Sequence, residues 1–247
     1  MDLMQTNVLL PETRDNTRRI NIHALQTMPS THHLRPVAPG FDLLHADAAL
    51  LVVNKPSGLL SVPGRGADKQ DCLITRVQAD YPDALIVHRL DCDTSGLLVL
   101  ARGKEMHRRL SIQFQDRQVN KRYVAVVDGE LAPASGEINL PLNVDWPNRP
   151  LHIVDFKTGK PSLTLYRVLS YDAIERCSRV ELTPETGRTH QLRVHMQALG
   201  HPILGDSLYA TPSARAKADR LLLHAEYLAF AHPENGEPLN FTCAAGF

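Results

Sequence analysis

The stretch IVHRLDCDTSGLLVLAR, residues 86–102, sets His88, Arg89, Asp91 and Asp93 between two apolar runs. Ile86–Val87 precede the charges, and Leu97–Leu98–Val99–Leu100 follow Gly96. Short apolar runs bounded by turn formers read as strands, here around 84–88 and 97–101, joined by a tight polar turn. A carboxylate flanked by buried strands is costly to ionise unless a cation or hydrogen bonds hold it. Two readings fit these residues. Either Asp91 or Asp93 caps the turn, as aspartate does in D-x-D-T-S-G, or Asp91 is kept charged for chemistry.

Working outward, ALLVVN (49–54) is a second short apolar strand, and KPSGLLSVPGRG after it is dense with turn formers. CLITRVQADY suits a helix ending before Pro82, and a helix is expected between 104 and 116 with Met106, Leu110, Ile112 and Phe114 along one face. KRYVAVVDG (121–129) alternates and is rich in valine, hence a strand. EINLPLNV, LHIVDFK, SLTLYRVLSY and CSRVELTP are strand-like too. THQLRVHMQALG reads as a helix with Thr189 as N-cap and Gly200 as terminator. PSARAKADRL is a further helix before the strand-like LLHAEYLAF. Runs of strands with few helices between them predict an α+β fold with a mixed, mostly antiparallel central sheet and flanking helices. Residues 1–40 hold four prolines and little periodicity, and read as a poorly ordered extension with a short helix around 17–27. The compact domain is expected to span 41–247.

Composition narrows the function classes. The 247 residues are 43% hydrophobic, and 27 basic side chains cancel 27 acidic ones, so bulk charge announces no nucleic-acid partner. Local charge does: residues 102–122 carry seven basic against two acidic residues, which suits either an RNA contact or a solvated helix face. Cys72, Cys92, Cys177 and Cys243 are far apart with no CxxC pair, which argues for a reducing compartment, the cytoplasm by default. No apolar run of 18 residues predicts a membrane span. Twelve histidines form no H-E-x-x-H or comparable ligand pattern, so no metal site is expected. In PETGRTHQLRVH (184–195), Arg188 falls at a strand-to-helix turn, where a helix N-terminus disfavours positive charge. It is either a surface arginine or the bidentate partner of a carboxylate.

HRLDCDTSGLLVLAR, NKRYVAVVDG and TGRTHQLRVHMQALGHPILGD together resemble the three motifs of RluA-type pseudouridine synthases. The likeness continues through VVNKPSGLLSVPGR and LLLHAEYL and so covers roughly residues 41–247. SVPGR, DWPNRP and HPILGDSLYA resemble the short branch of that family, which acts on two RNAs and lacks an S4 RNA-binding domain. The resemblance implies the pseudouridine synthase fold with an RNA-binding cleft, no cofactor and no metal, and a monomer. It implies that Asp91 is the catalytic carboxylate, paired with Arg188, and that Tyr123 stacks on the extracted uracil. Arg89 would enter the RNA and help displace the uridine, Leu192 would form an apolar wall, and Lys121 would face a phosphate or support the site. The implied substrates are the tRNA anticodon stem-loop and a hairpin loop of 23S rRNA. Three rival readings stand beside this one: a synthase acting on only one of these RNAs, a hydrolytic glycosylase using Asp91 and Asp93, and a non-catalytic RNA-binding module built on the basic segment and Tyr123.

Overall fold

A computed structural model describes residues 40–247; the helix expected around 17–27 and the rest of 1–39 lie outside them. The described chain runs β1 (Asp42–Ala46), β2 (Leu50–Lys55), α1 (Leu73–Asp80), β3 (Ala84–Ile86), β4 (Ser95–Arg102), α2 (Gly103–Gln115) and β5 (Asn120–Asp128). It continues β6 (Ser135–Asn139), β7 (Leu142–Val144), β8 (His152–Val154), β9 (Leu163–Asp172), β10 (Cys177–Pro184), α3 (Gln191–Ala198), α4 (Pro212–Ala216), β11 (Leu223–Ala231) and β12 (Pro238–Thr242).

Ten of the strands form one sheet in the order β1-β2-β4-β11-β5-β10-β9-β6, with β3 on β4 and β12 on β11, while β7 and β8 form a separate hairpin. The β4–β11 pair is parallel and the others are antiparallel, as the expected α+β class requires. β4 is buried on both faces from Ser95 to Ala101, because α1 and α2 cover opposite sides of it, and its sequence is therefore continuous rather than alternating. On one face Leu73, Ile74 and Val77 of α1 meet Leu51, Val53, Leu98 and Leu100. On the other, Met106, Leu110 and Phe114 of α2 meet Leu50, Val52, Leu97 and Val99. That i, i+4, i+8 line leaves Ile112, expected on the same face, 41% exposed. A third cluster joins Leu192 and Met196 of α3 to Ala125, Val127, Val180 and Leu182. Tyr123 touches both the α1 and the α3 clusters, so it marks the seam between the two halves of the sheet.

Gly96 sits at that seam with φ +116°, opposite Ala225 in the parallel pair. A Cβ there would overlap the Ala225 backbone carbonyl and amide, so only glycine lets β11 come in against the turn. The helix expected over 212–221 ends at Ala216. It starts on Thr211, whose side chain caps Ala214, and the following residues turn back toward β11.

Just before the turn, His88 stacks on Phe114 at 4.5 Å between ring centroids and accepts the Val99 backbone N–H at Nε2, 3.1 Å away. Burial, aided by Lys121, pulls its pKa from 6.5 down to about 3. The unfolded chain therefore takes up this proton first as the pH drops. The stabilisation is fully present above pH 6.5 and falls between 6.5 and 3, by about 1.4 kcal/mol per pH unit. His88→Gln keeps an acceptor without the titration. It is expected to flatten the dependence of the urea midpoint on pH between 6.5 and 4, and an unaltered slope would assign the acid sensitivity elsewhere.

Candidate active site

The turn that carries Asp91 is held by the loop after β2 through its backbone. Lys55, at the end of β2, is fully buried and donates to the carbonyls of Pro56 (2.8 Å), Leu59 (2.7 Å) and Cys92 (2.9 Å). Burial pulls its ammonium down to about 8, against the charges of Cys92, Asp93 and Asp91. The Gly58 amide also donates to Cys92 O at 3.0 Å, and the Ser57 hydroxyl donates to Asp93 O at 2.7 Å. Ser61 closes the other side, its Oγ donating to Leu90 O at 2.7 Å and accepting from Leu90 N at 3.2 Å. Cys92 and Asp93 thus serve this turn through their carbonyls, and Asp91 is left as the residue whose side chain faces away from the clamp. In the sequence KPSGLLS reads as turn formers and as part of the family likeness, with no role singled out for Lys55. A lysine ending an apolar strand was the signal, since a buried ammonium must be matched by several acceptors.

Asp91 is 22% exposed and has a cation on one oxygen and an imidazole near the other. Arg193 Nη1 lies 3.5 Å from Oδ2, and His190 Nε2 lies 3.9 Å from Oδ1. Arg193 is itself almost fully buried and is gripped by the buried Asp206 through two bonds, Nε to Oδ2 at 2.8 Å and Nη2 to Oδ1 at 2.7 Å. Such a fork-to-fork pair fixes the guanidinium plane and leaves one N–H corner to turn toward Asp91. The expected pairing of Arg188 with Asp91 is therefore corrected: the arginine beside the carboxylate is Arg193. Helix α3 begins at Gln191, and its N-cap is His190, with a left-handed backbone (φ 56°), rather than the expected Thr189. The preceding segment is tied down by Gln191, whose Oε1 accepts the Arg188 amide at 3.0 Å. That holds Arg188 at the rim, exposed, its Nε donating to Pro161 O at 3.3 Å. Arg193, the third residue of α3, reaches the turn instead.

Asp91, Arg89, Lys121, Tyr123, Arg188, Leu192 and Arg193 all line one cleft of about 660 Å³. Burial, with the charge of Asp91 adding to it, pushes the Tyr123 phenol well above its ordinary range, so it stays a neutral aromatic. Leu192 supplies an aliphatic wall and is buried. Lys121 is partly buried, and burial lowers its pKa against the pull of Glu185. Arg89 is exposed at the mouth. Much of the basic segment is engaged elsewhere. Arg102 pairs with Asp83 at 3.1 Å, Arg108 and Arg109 pair with Glu105, and Arg122 lies over the Tyr227 ring at 4.3 Å. Of that segment, Arg117 and Lys121 are the cations that line the cleft. Among the described residues no three His, Cys, Asp or Glu side chains converge as a metal set, and no helix is long and apolar enough to cross a membrane. A cleft with a carboxylate at its base, aromatic and aliphatic walls and a cationic mouth suits a flat polar ring attached to an anionic backbone.

Comparison with known proteins points the same way. The profile of the family described as RNA pseudouridylate synthase matches residues 49–198. The dual-specificity RNA pseudouridine synthase RluA of Escherichia coli K12 is 54% identical over 212 residues, covering 86% of this chain and 96% of that protein. The protein of the same name from Yersinia pestis is 54% identical over 205 residues, 83% of this chain and 99% of that one. Among solved structures, human RNA pseudouridylate synthase domain containing 1 superposes with a TM-score of 0.71 at 30% identity, covering 85% of this chain and 86% of the other.

Proposed function

The chain belongs to the RNA pseudouridylate synthase family and is an isomerase acting on RNA; from that premise we propose which uridines it converts and which residues act. The substrates are a uridine of the tRNA anticodon stem-loop and one in a hairpin loop of 23S rRNA. The dual specificity named for the bacterial relatives supports two RNAs, and loops of like shape can share one cleft when bases are read splayed out and stacked. The protein works as a monomer in the cytoplasm.

The observation that carries the assignment of the chemistry is the Asp91 carboxylate, held between Arg193 and His190 at the base of the cleft. A uridine in a folded loop hides its glycosidic bond, so it must be flipped out at a cost of a few kcal/mol. Arg89 at the mouth fills the place it leaves, and stacking on Tyr123 returns about 1–3 kcal/mol. Leu192 closes the opposite wall, while Lys121 and Arg188 meet the phosphates. Asp91 then acts on the ribose, as nucleophile at C1′ or as base at C2′. The N1–C1′ bond breaks, the uracil turns, C5 joins C1′, N1 gains a proton and C5 loses one. No electrons are exchanged with an external partner.

The loss of the C5 proton provides the assay. Transcripts of the anticodon stem-loop and the rRNA hairpin, made with uridine tritiated at C5, are expected to release tritium into water stoichiometrically with one site in each. Release from only one transcript would leave a single-substrate synthase. Binding without release would leave an RNA-binding module, and free uracil would mean a hydrolase.

A further inference from the structure

His190 is one of the buried titratable groups beside Asp91 that the mechanism above leaves without a task. Its side chain is 11% exposed, its ring packs edge-on against those of His152 (5.1 Å) and Tyr209 (5.5 Å), and its backbone is left-handed. Nδ1 lies 2.6 Å from the Tyr209 hydroxyl. That oxygen already accepts the backbone N–H of His152 at 2.9 Å. A phenol has one proton to give. Burial pushes the Tyr209 phenol up to about 12, so it keeps that proton, and the partner it points to is Nδ1 of His190. With the phenol donating in that direction, the neutral imidazole carries its hydrogen on Nε2, the nitrogen that faces Asp91 Oδ1 at 3.9 Å.

We propose that His190 is a positioning residue for Asp91, its Nε2–H fixed by Tyr209 and presented to Oδ1 opposite the Arg193 contact on Oδ2. The two donors then fix the rotation of the carboxylate and favour its ionised form. The gap is about 1 Å longer than a hydrogen bond, and catalytic hydrogen bonds are commonly long before substrate enters. The groups facing His190 are Asp91, Arg193, Asp206, His152 and Tyr209. Burial pulls its pKa down to about 4 against the charge of Asp91, so the ring is neutral at pH 7. Asp91 is faced by Arg193 and His190, with the charge of Lys55 behind its turn and the neutral Tyr123 phenol in front.

This inference rests on the reading of Asp91 as the reacting group, and its test separates the two. Nitrogen-15 spectra of the labelled protein without RNA are expected to show His190 protonated at Nε2 and bare at Nδ1 at pH 7. The opposite tautomer would overturn the proposal whatever the enzyme acts on. Two variants then read the role. Asparagine tolerates a left-handed backbone better than glutamine, but only glutamine carries an amide N–H out to the position of Nε2. His190→Asn is expected to slow single-turnover conversion about 30-fold with RNA affinity unchanged, and to raise the acid-limb pKa of the rate by about one unit. His190→Gln is expected to recover most of that rate and the wild-type limb. A merely structural role predicts the reverse order, and asparagine equal to or better than glutamine would overturn the proposal. Failure of the wild type to make any pseudouridine would instead count against the functional reading.

Discussion

Asp91→Asn is expected to lower pseudouridine formation by about 10⁴-fold, the upper end for a positioned acid–base group, while RNA binding persists. The substitution keeps size and removes charge. The fold should tolerate it, because Arg193 retains its bidentate bond to Asp206 and the turn is held through Leu90, Cys92 and Asp93 carbonyls rather than through the Asp91 side chain. The variant should therefore melt close to the wild type and still retard both transcripts in a binding assay. Tritium release at a wild-type rate would remove Asp91 from the chemistry altogether.

Arg193→Gln is expected to damage both stability and turnover. Asp206 is fully buried, and withdrawing its cation leaves an uncompensated charge, at a cost of about 3–5 kcal/mol. In a domain of this size that corresponds to a fall in Tm of roughly 10 °C. The double substitution Arg193→Met with Asp206→Asn separates the two effects, because asparagine is neutral yet keeps an Oδ1 acceptor for the Leu208 and Tyr209 amides. Removing both charges of a buried ion pair is often neutral or stabilising when the remaining polar groups stay paired, so melting should largely recover while turnover does not. Arg188→Gln is the control. An exposed arginine whose side chain bonds a single carbonyl should cost within about 0.5 kcal/mol. If Arg188→Gln proved the more damaging of the two for single-turnover conversion at saturating RNA, at a temperature where both are folded, the cation that supports Asp91 would be Arg188 after all.

That contrast shows where sequence reading stopped. The central strands were legible, because β2 and β4 are buried on both faces and declare themselves as unbroken apolar runs. The edge strands β1 and β12 are largely exposed and carry no such signal. The choice between Arg188 and Arg193 depends on how α3 is rotated about its axis. All six residues from Gln191 to Met196 are buried, so helical periodicity names no preferred face. Lys55 was hidden for a different reason: its partners are backbone carbonyls, which every residue possesses. His190 owes its orientation to a tyrosine 19 positions away. The contributions of Arg89, Tyr123 and Leu192 came from family likeness, and no local pattern singles them out.

Gly96 and its contact with Ala225 bear on the order in which the protein is made. β11 is synthesised long after β4 and β5 yet lies between them at the middle of the sheet. As the chain leaves the ribosome, Asp91 and the loop that clamps its turn emerge well before the strand that braces the turn and joins the two halves. A pairing of such long sequence separation is slow to form and has no partial version. The turn that carries Asp91 is therefore made well before its brace, and the cleft cannot assemble until β11 has emerged.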